Sequence, residues 1–278
     1  MKTILLWLRI IRPQTLFASL VPVAVALLCV TVSSVVTAVL TALCALCLQV
    51  MSNLINDYYD FVRQTDKKGR AGFRRALAEG EVTKGQMRVA IFIDVAIILG
   101  ISAYLVCVGG VPILIIGLSA LLFAWLYTAT RWSLSYLGIA DIFVFLYFGV
   151  VASCGTAYLQ TGEMSWQAFH AGAVSGLISM CVLNINNLRD REDDHAAGKR
   201  TLAVRFGKRA AELIMLFEIL LMPLFAWMAF GSWVPMLIVV PALLLYCLIL
   251  KAQGAQYNRC LLMAGLCNVV YLVLCLLR

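Results

Sequence analysis

Charge is scarce in this chain. Of 278 residues only 13% are Asp, Glu, Lys or Arg, the acids number 14, and 63% are hydrophobic. A soluble core of this size has no use for so much apolar surface, which excludes an ordinary globular enzyme. Long polar linkers and low-complexity tracts are also lacking, so residues 1–278 read as a single membrane domain. The ten cysteines are scattered through apolar segments, and Cys44-Ala-Leu-Cys47 falls inside one of them. Packing is their expected role, with no zinc or redox site.

What is present is a series of apolar runs of about 20 residues, the length that crosses a bilayer. They fall at 16–32, 35–57, 89–108, 111–129, 136–159, 167–187, 212–230, 233–250 and 260–277, which predicts an all-α polytopic protein of nine transmembrane helices. The basic residues test that count. With the N-terminus cytoplasmic, the cytoplasmic segments are 1–15, 58–88, 130–135, 188–211 and 251–259. They hold 3, 8, 1, 7 and 2 Lys/Arg, which is 21 of the 22 in the chain, and only Arg278 falls outside. An even number of helices would disturb this positive-inside asymmetry. The basic and then apolar N-terminus could suggest a signal peptide. Arg9, Arg12 and Pro13 come late and no clear cleavage site follows, so a retained first helix is expected.

The few acids are concentrated. Asn56-Asp57-Tyr58-Tyr59-Asp60, with Asp66 following, ends one apolar run, and Asn186-Asn187-Leu188-Arg189-Asp190 through Asp194 ends another. Both contain Asn-x-x-x-Asp, the copies start 130 residues apart, and both face the cytoplasm. Each precedes a basic loop, Phe61 to Arg88 and Asp190 to Ala211, with helix-forming composition at 76–79 and 208–213, so the chain carries an internal pseudo-repeat with cytoplasmic cap loops. Carboxylates are expensive near a bilayer, and a repeated set at one depth implies a function. Positions i and i+4 share a helix face, which aligns Asn56 with Asp60 and Asn186 with Asp190 and Asp194, while Asn53 lies one turn deeper.

Packed carboxylates repel unless cations compensate. Mg²⁺ held by a few carboxylates together with substrate phosphate oxygens answers that need. The candidate metal ligands are Asn56, Asp57, Asp60, Asp66, Asn186, Asp190 and Asp194. Arginine matches phosphate oxygens with its planar fork. Arg12, Arg70, Arg75, Arg131 and Lys199 are the candidate diphosphate ligands, with Arg74, Arg200 and Arg205 nearby. Tyr127 and Arg131, one turn apart, can reach one ligand, and Tyr58, Tyr59, Trp125 and Tyr127 offer π faces to an allylic cation. Duller readings stand beside these: solvated helix caps for the acids, positive-inside determinants for single arginines, an interface-belt residue for Tyr127. Asp94 and Glu218 are expected to pair with Lys or Arg or to snorkel, Asp141 to be a buried hydrogen-bonding residue, and His195 to be solvated, while His170 falls on the opposite side.

The order of these features resembles the UbiA superfamily of intramembrane aromatic prenyltransferases over nearly the whole chain. Arg12-Pro13-Gln14-Thr15 is similar to its opening Arg-Pro-x-Thr, Asn56-Asp57-x-x-Asp60 with Asp66 to its first Asp-rich motif, and Asp190-x-x-x-Asp194 to its second. Tyr127-x-x-x-Arg131 resembles its Tyr-x-x-x-Lys element with Arg in place of Lys. Asn184-Ile-Asn-Asn-Leu-Arg-Asp190 and Gly198-Lys-Arg-Thr-Leu-Ala-Val-Arg-Phe-Gly207 resemble the members that prenylate 1,4-dihydroxy-2-naphthoate. The first loop departs, reading Arg70-Ala-Gly-Phe-Arg-Arg75 where that group tends to have Arg-x-Gly-Pro-x-Arg. The resemblance implies nine helices around a central cavity, Mg²⁺ as cofactor, and a lipid-facing opening for a polyprenyl tail. It also implies polyprenyl diphosphate as donor and Asp60, Asp190, Tyr127 and Arg131 in catalysis.

The expected reaction gives demethylmenaquinol with loss of CO₂ and diphosphate. A different aromatic acceptor, 4-hydroxybenzoate or homogentisate, is the alternative within the same chemistry. A cation transporter would instead place carboxylates near the midplane with routes to both sides. The bilayer is the expected surrounding, a bacterial inner membrane the expected location, and no nucleic acid partner is expected.

Overall fold

The computed structural model describes residues 2–64, 75–129 and 133–278. Among these residues all regular structure is helical. Helix α1 (Lys2–Ile11) and α2 (Pro13–Leu27) meet at a 52° bend. The bend centres on Arg12, whose φ of 57° is left-handed, and Pro13 then opens α2 with its preset φ. Helix α3 (Val35–Val62) starts where the Ser34 side chain accepts from the Thr37 amide. Thr83 and Gln86 form a capping box that starts α4 (Lys84–Leu126).

The chain continues through the short α5 (Leu134–Leu137) and α6 (Ala140–Phe145), a π turn at Leu146–Val150, and α7 (Val151–Thr161). Helices α8 (Trp166–Arg189), α9 (Arg191–Ala196) and α10 (Leu202–Phe230) follow. A 3₁₀ turn at Pro235–Ile238, α11 (Val239–Lys251) and α12 (Gln256–Leu276) close the order. Among the described residues six helical stretches are long and apolar enough to cross a membrane, or up to seven if α1 and α2 form one bent span.

Helix α8 is the centre of the bundle. Its most apolar window is 72% buried, against 17% for α4, whose apolar side chains are left for lipid. A fully packed helix needs small residues where neighbours approach. Gly172 and Gly176 supply them, facing Gly149 of the π turn: a Cβ on Gly149 would stand 2.6 Å from the Gly172 carbonyl oxygen, and one on Gly176 2.6 Å from the Phe145 carbonyl oxygen. The largest core cluster then runs from α8 through α10, α11 and α12, with Met215, Ile219, Ile249 and Tyr271 at 1% exposure or less.

Several boundaries differ from the sequence expectation. The runs 89–108 and 111–129 form one helical stretch, which leaves helical geometry only at Gly110 (φ 64°, ψ −151°). A 43-residue straight helix would be about 65 Å long, twice a hydrocarbon core, so a break there is required. The first expected helix, 16–32, is displaced towards the N-terminus, because Pro13 rather than the apolar run sets its start. The loop expected over Asp190 to Ala211 is largely helix, beyond the 208–213 stretch expected to be helical: α9 and the first turns of α10, bent at Gly207 (φ 85°), fill it. Asp94 and Glu218 are buried without a Lys or Arg partner among the described residues. Glu218 instead accepts from the Cys181 thiol at 3.3 Å.

Candidate active site

The cytoplasmic end of α3 is tied to the α1–α2 bend. Asn53 donates to the Ile11 carbonyl (2.9 Å) and to Thr15 Oγ1 (3.0 Å), and Gln49 reaches the same hydroxyl at 3.3 Å. This clamp holds Arg12 in its left-handed conformation. A bulky residue there is strained, and such strain clusters at functional sites. Arg12 turns inward to Asp57, which Arg75 also reaches, so one carboxylate gathers two guanidiniums. Asp57 is 2% exposed, and its two cations compensate a charge that would otherwise be costly.

Asp60, one turn on from Asn56, faces the second acidic cluster. Lys199 Nζ lies 3.9 Å from Asp60 Oδ1 and 3.3 Å from Asp194 Oδ1. The two copies of the repeat therefore meet across a single ammonium. Burial raises the Asp194 carboxyl above its ordinary value, with Lys199 opposing and Asp190 adding to the rise. Burial pulls Lys199 down, but Asp60 and Asp194 outweigh it and the ammonium is held above its ordinary value.

The second stripe is not one straight helix. The backbone leaves helical geometry at Asp190 (φ −94°, ψ 9°), and the side chain turns to Arg189 through two bonds of 2.7 Å. Arg189 is in turn held by Asn258 at 2.9 Å. Asn186 donates to the Val182 carbonyl at 3.2 Å, with its side chain on the cavity wall.

Beneath these groups lies a cavity of about 360 Å³. Arg12, Asn56, Tyr127 and Asn186 line its polar end, while Phe123, Phe143, Tyr147 and Phe148 line its flank. Phe123 packs on Phe143 (centroids 4.4 Å apart) and on Tyr147 (5.1 Å). Of the aromatics expected at the site, only Tyr127 lines this cavity. Tyr58 and Tyr59 pack edge to face on the α3 surface, and Trp125 is 44% exposed. Nothing in the sequence marks Phe123, Phe143 and Tyr147, because an aromatic facing a cavity and one facing lipid look alike in an apolar run.

Asp66, Arg70 and Arg131 lie outside the described residues. Among the described ones no three His, Cys, Asp or Glu side chains converge as a ready cation cage. The donor chemistry is nevertheless that of a hard cation. Asp60 and Asp194 flank one point now held by an ammonium, and the Asn56 carbonyl oxygen is buried beside the cavity without a partner.

The sequence profile of the UbiA prenyltransferase family matches residues 19–263. The chain belongs to the UbiA prenyltransferase family. With its apolar helices, that makes it an integral membrane protein. This UbiA-family chain is 35% identical to the 1,4-dihydroxy-2-naphthoate octaprenyltransferase of Escherichia coli (strain K12) over 216 residues, 73% of this chain and 68% of that one. The Haemophilus influenzae enzyme of the same name is 36% identical over 180 residues, covering 61% and 57%. The chain thus spans between 57% and 68% of the length of these curated relatives. An apo UbiA homologue from Aeropyrum pernix K1 superposes with a TM-score of 0.76 at 16% identity, covering 96% of this chain and 98% of the other. A homologue from Archaeoglobus fulgidus, bound to GPP and Mg²⁺, superposes with a TM-score of 0.71 at 18% identity, covering 98% of each. These likenesses establish the UbiA fold.

Proposed function

We propose that this chain transfers a polyprenyl group from polyprenyl diphosphate to 1,4-dihydroxy-2-naphthoate, releasing diphosphate and CO₂ and giving demethylmenaquinol. The observation that carries it is the meeting of the two acidic clusters at the mouth of an aromatic-lined cavity, where Lys199 joins Asp60 to Asp194. The names of the bacterial relatives at 35–36% identity support the acceptor.

Arg12, Arg75 and Lys199 hold the diphosphate, with Asp57 positioning both arginines and Arg70 and Arg131 joining from the neighbouring loops. Asp60, Asp190 and Asp194, with Asn56, Asn186, Asp57 and Asp66, are the residues that would hold Mg²⁺, in keeping with the GPP- and Mg²⁺-bound homologue. When bound, the metal neutralises charge on the departing diphosphate. The C–O bond to the isoprenoid breaks and its electron pair leaves with the diphosphate. The allylic cation left behind faces the rings of Phe123, Phe143 and Tyr147, whose π faces stabilise it, and the surrounding side chains exclude water. The electron-rich carbon of the acceptor attacks, and its carboxylate departs as CO₂, returning the electron pair to the ring.

The same reading places nine spans in the membrane, with the stretch on either side of Gly110 counted as two. The N-terminus and site are cytoplasmic, the C-terminus is outside, and the membrane is a bacterial inner membrane. The segment after Asp190 caps the site. Purified protein in nanodiscs, given polyprenyl diphosphate, Mg²⁺ or EDTA, and a mixture of 1,4-dihydroxy-2-naphthoate, 4-hydroxybenzoate and homogentisate, tests the proposal by mass spectrometry. The expected product is a Mg²⁺-dependent prenylated naphthoquinol lacking the carboxylate mass. Prenylation of another acceptor would overturn the pathway assignment and keep the chemistry.

A further inference from the structure

The cavity lining has unlike parts. Leu105, Ile113, Ile116 and Leu159 of α4 and α7, with the Phe123 ring, make one part of the lining chiefly carbon, interrupted by Ser102 and Thr156. Ser179 of α8 and Asn268 of α12 line another part. Asn268 is fully buried, and neither its amide nitrogen nor its oxygen has a hydrogen-bond partner. Ser179 is 4% exposed, and its hydroxyl is likewise unpartnered.

Two bonds set the register of α8 against α12. Tyr271 donates to the Ala171 carbonyl at 3.1 Å, and Arg189 donates to Asn258 at 2.9 Å. The helices run antiparallel, and Asn268 falls opposite the turn from Ser175 to Ser179. The Ser175 hydroxyl is buried there and also lacks a partner. Each unsatisfied buried polar group is costly, and hydrocarbon around the bundle supplies no water to relieve it. An isoprenoid tail does not relieve it either, having no polar atom to offer.

We propose that Asn268 and Ser179 form a polar subsite for the hydroxylated aromatic acceptor, holding a ring hydroxyl on the α8–α12 part of the lining while the isoprenoid lies along the carbon-rich part. This rests on the prenyl-transfer reading above. The amide has two N–H donors and an acceptor oxygen, and the hydroxyl can do either, which suits a phenolic hydroxyl that both donates and accepts. Ser179 lies seven residues before Asn186 on α8, two turns or about 10 Å deeper. The carboxylate-bearing carbon must meet the isoprenoid towards the diphosphate end, so the subsite takes the hydroxyl on the far side of that same ring. A pocket that hydrogen-bonds a substrate oxygen discriminates strongly against analogues lacking it.

The test is N268L and S179A in nanodiscs. KM is measured separately for 1,4-dihydroxy-2-naphthoate and for polyprenyl diphosphate, and acceptor binding is measured at equilibrium in the absence of polyprenyl diphosphate. The expected result is an acceptor KM and Kd raised at least tenfold in N268L and severalfold in S179A, with polyprenyl diphosphate KM within twofold of wild type. An acceptor stripped of one hydroxyl should distinguish wild type from N268L less than the parent does. Unchanged acceptor binding in folded N268L, or equal loss for both substrates, would overturn the subsite. If wild type turns over none of the acceptors, the functional reading falls, and the wild-type to N268L ratio of acceptor binding still decides the subsite. If N268L does not fold, S179A decides it.

Discussion

Replacing Lys199 with Met removes the ammonium that joins the two acidic clusters while keeping most of the side chain's bulk. In the wild type that ammonium lies 3.3 Å from Asp194 and 3.9 Å from Asp60. At an effective dielectric of about 20, each contact is worth roughly 4–5 kcal/mol before desolvation is counted. The side chain is only 15% exposed, so solvent screening is weak. Removing one partner from such a buried network costs about 3–5 kcal/mol, because the remaining charges lose their compensation. For a chain of this size a loss of about 3 kcal/mol corresponds to a fall of ~6–10 °C in Tm. Two uncompensated carboxylates are also a better cation site than two already neutralised ones. Mg²⁺ should therefore recover more than half of the lost Tm in K199M, and should raise the wild-type Tm by less. The assay is thermal unfolding in detergent micelles with Mg²⁺ or with EDTA. An unchanged Tm in K199M, or an equal response to Mg²⁺ in both proteins, would refute the coupling of Asp60 to Asp194 through this residue.

D60N and D190N should each lower turnover at least a hundredfold while leaving the protein inserted, as read by product formation and by size-exclusion elution; full activity in either would sink its role as a ligand. D57N leaves Arg12 and Arg75 without their shared carboxylate, and polyprenyl diphosphate KM should rise about tenfold, reflecting the loss of a buried charge partner. G176A forces a methyl against the Phe145 carbonyl and should cost about 1–3 kcal/mol by overpacking, seen as a lower Tm; a Tm within a degree of wild type would contradict the close approach. Asp194 is held above its ordinary 3.8, so its contribution to stability is complete below that pH and is lost as pH rises through the elevated value. Lys199 is raised above 10.5, so its contribution persists below that pH and is lost only above it. Mg²⁺ requires the ionised carboxylate, and its affinity in a titration series between about pH 4 and 8 should strengthen upward, a flat profile being the refuting result.

The spans were legible because an apolar run of membrane length has few other uses, and the acids because they are rare and repeated. Element boundaries were less legible where a single residue overrides composition. Pro13 moves the first span, and Asp190 interrupts the stripe drawn through Asn186 and Asp194. The segment after Asp190 looked like a loop because it is polar, yet Arg191–Ala196 is helical, which polarity alone does not oppose. Tyr58 and Tyr59 were assigned to the site for their adjacency to Asp57 and Asp60, but neighbours on a helix point about 100° apart. Lys199 was one basic residue among several in its segment. Its place between two carboxylates depends on how α3 packs near α9, which no local pattern records.

The π turn at Leu146–Val150 acts as a length adjuster of one residue. A wide turn holds one more residue than an α turn over the same rise, so it changes the phase between the segments on either side. Winding the same five residues as an α turn, with none removed, would rotate α6 by about 100° relative to α7. Phe143 and Val144 would then swing off the cavity, while Ala152 and Gly155 below them stayed in place. The aromatic flank of the chamber thus depends on the winding of one turn, and a single-residue deletion there that restores α geometry would leave the flank facing the cavity.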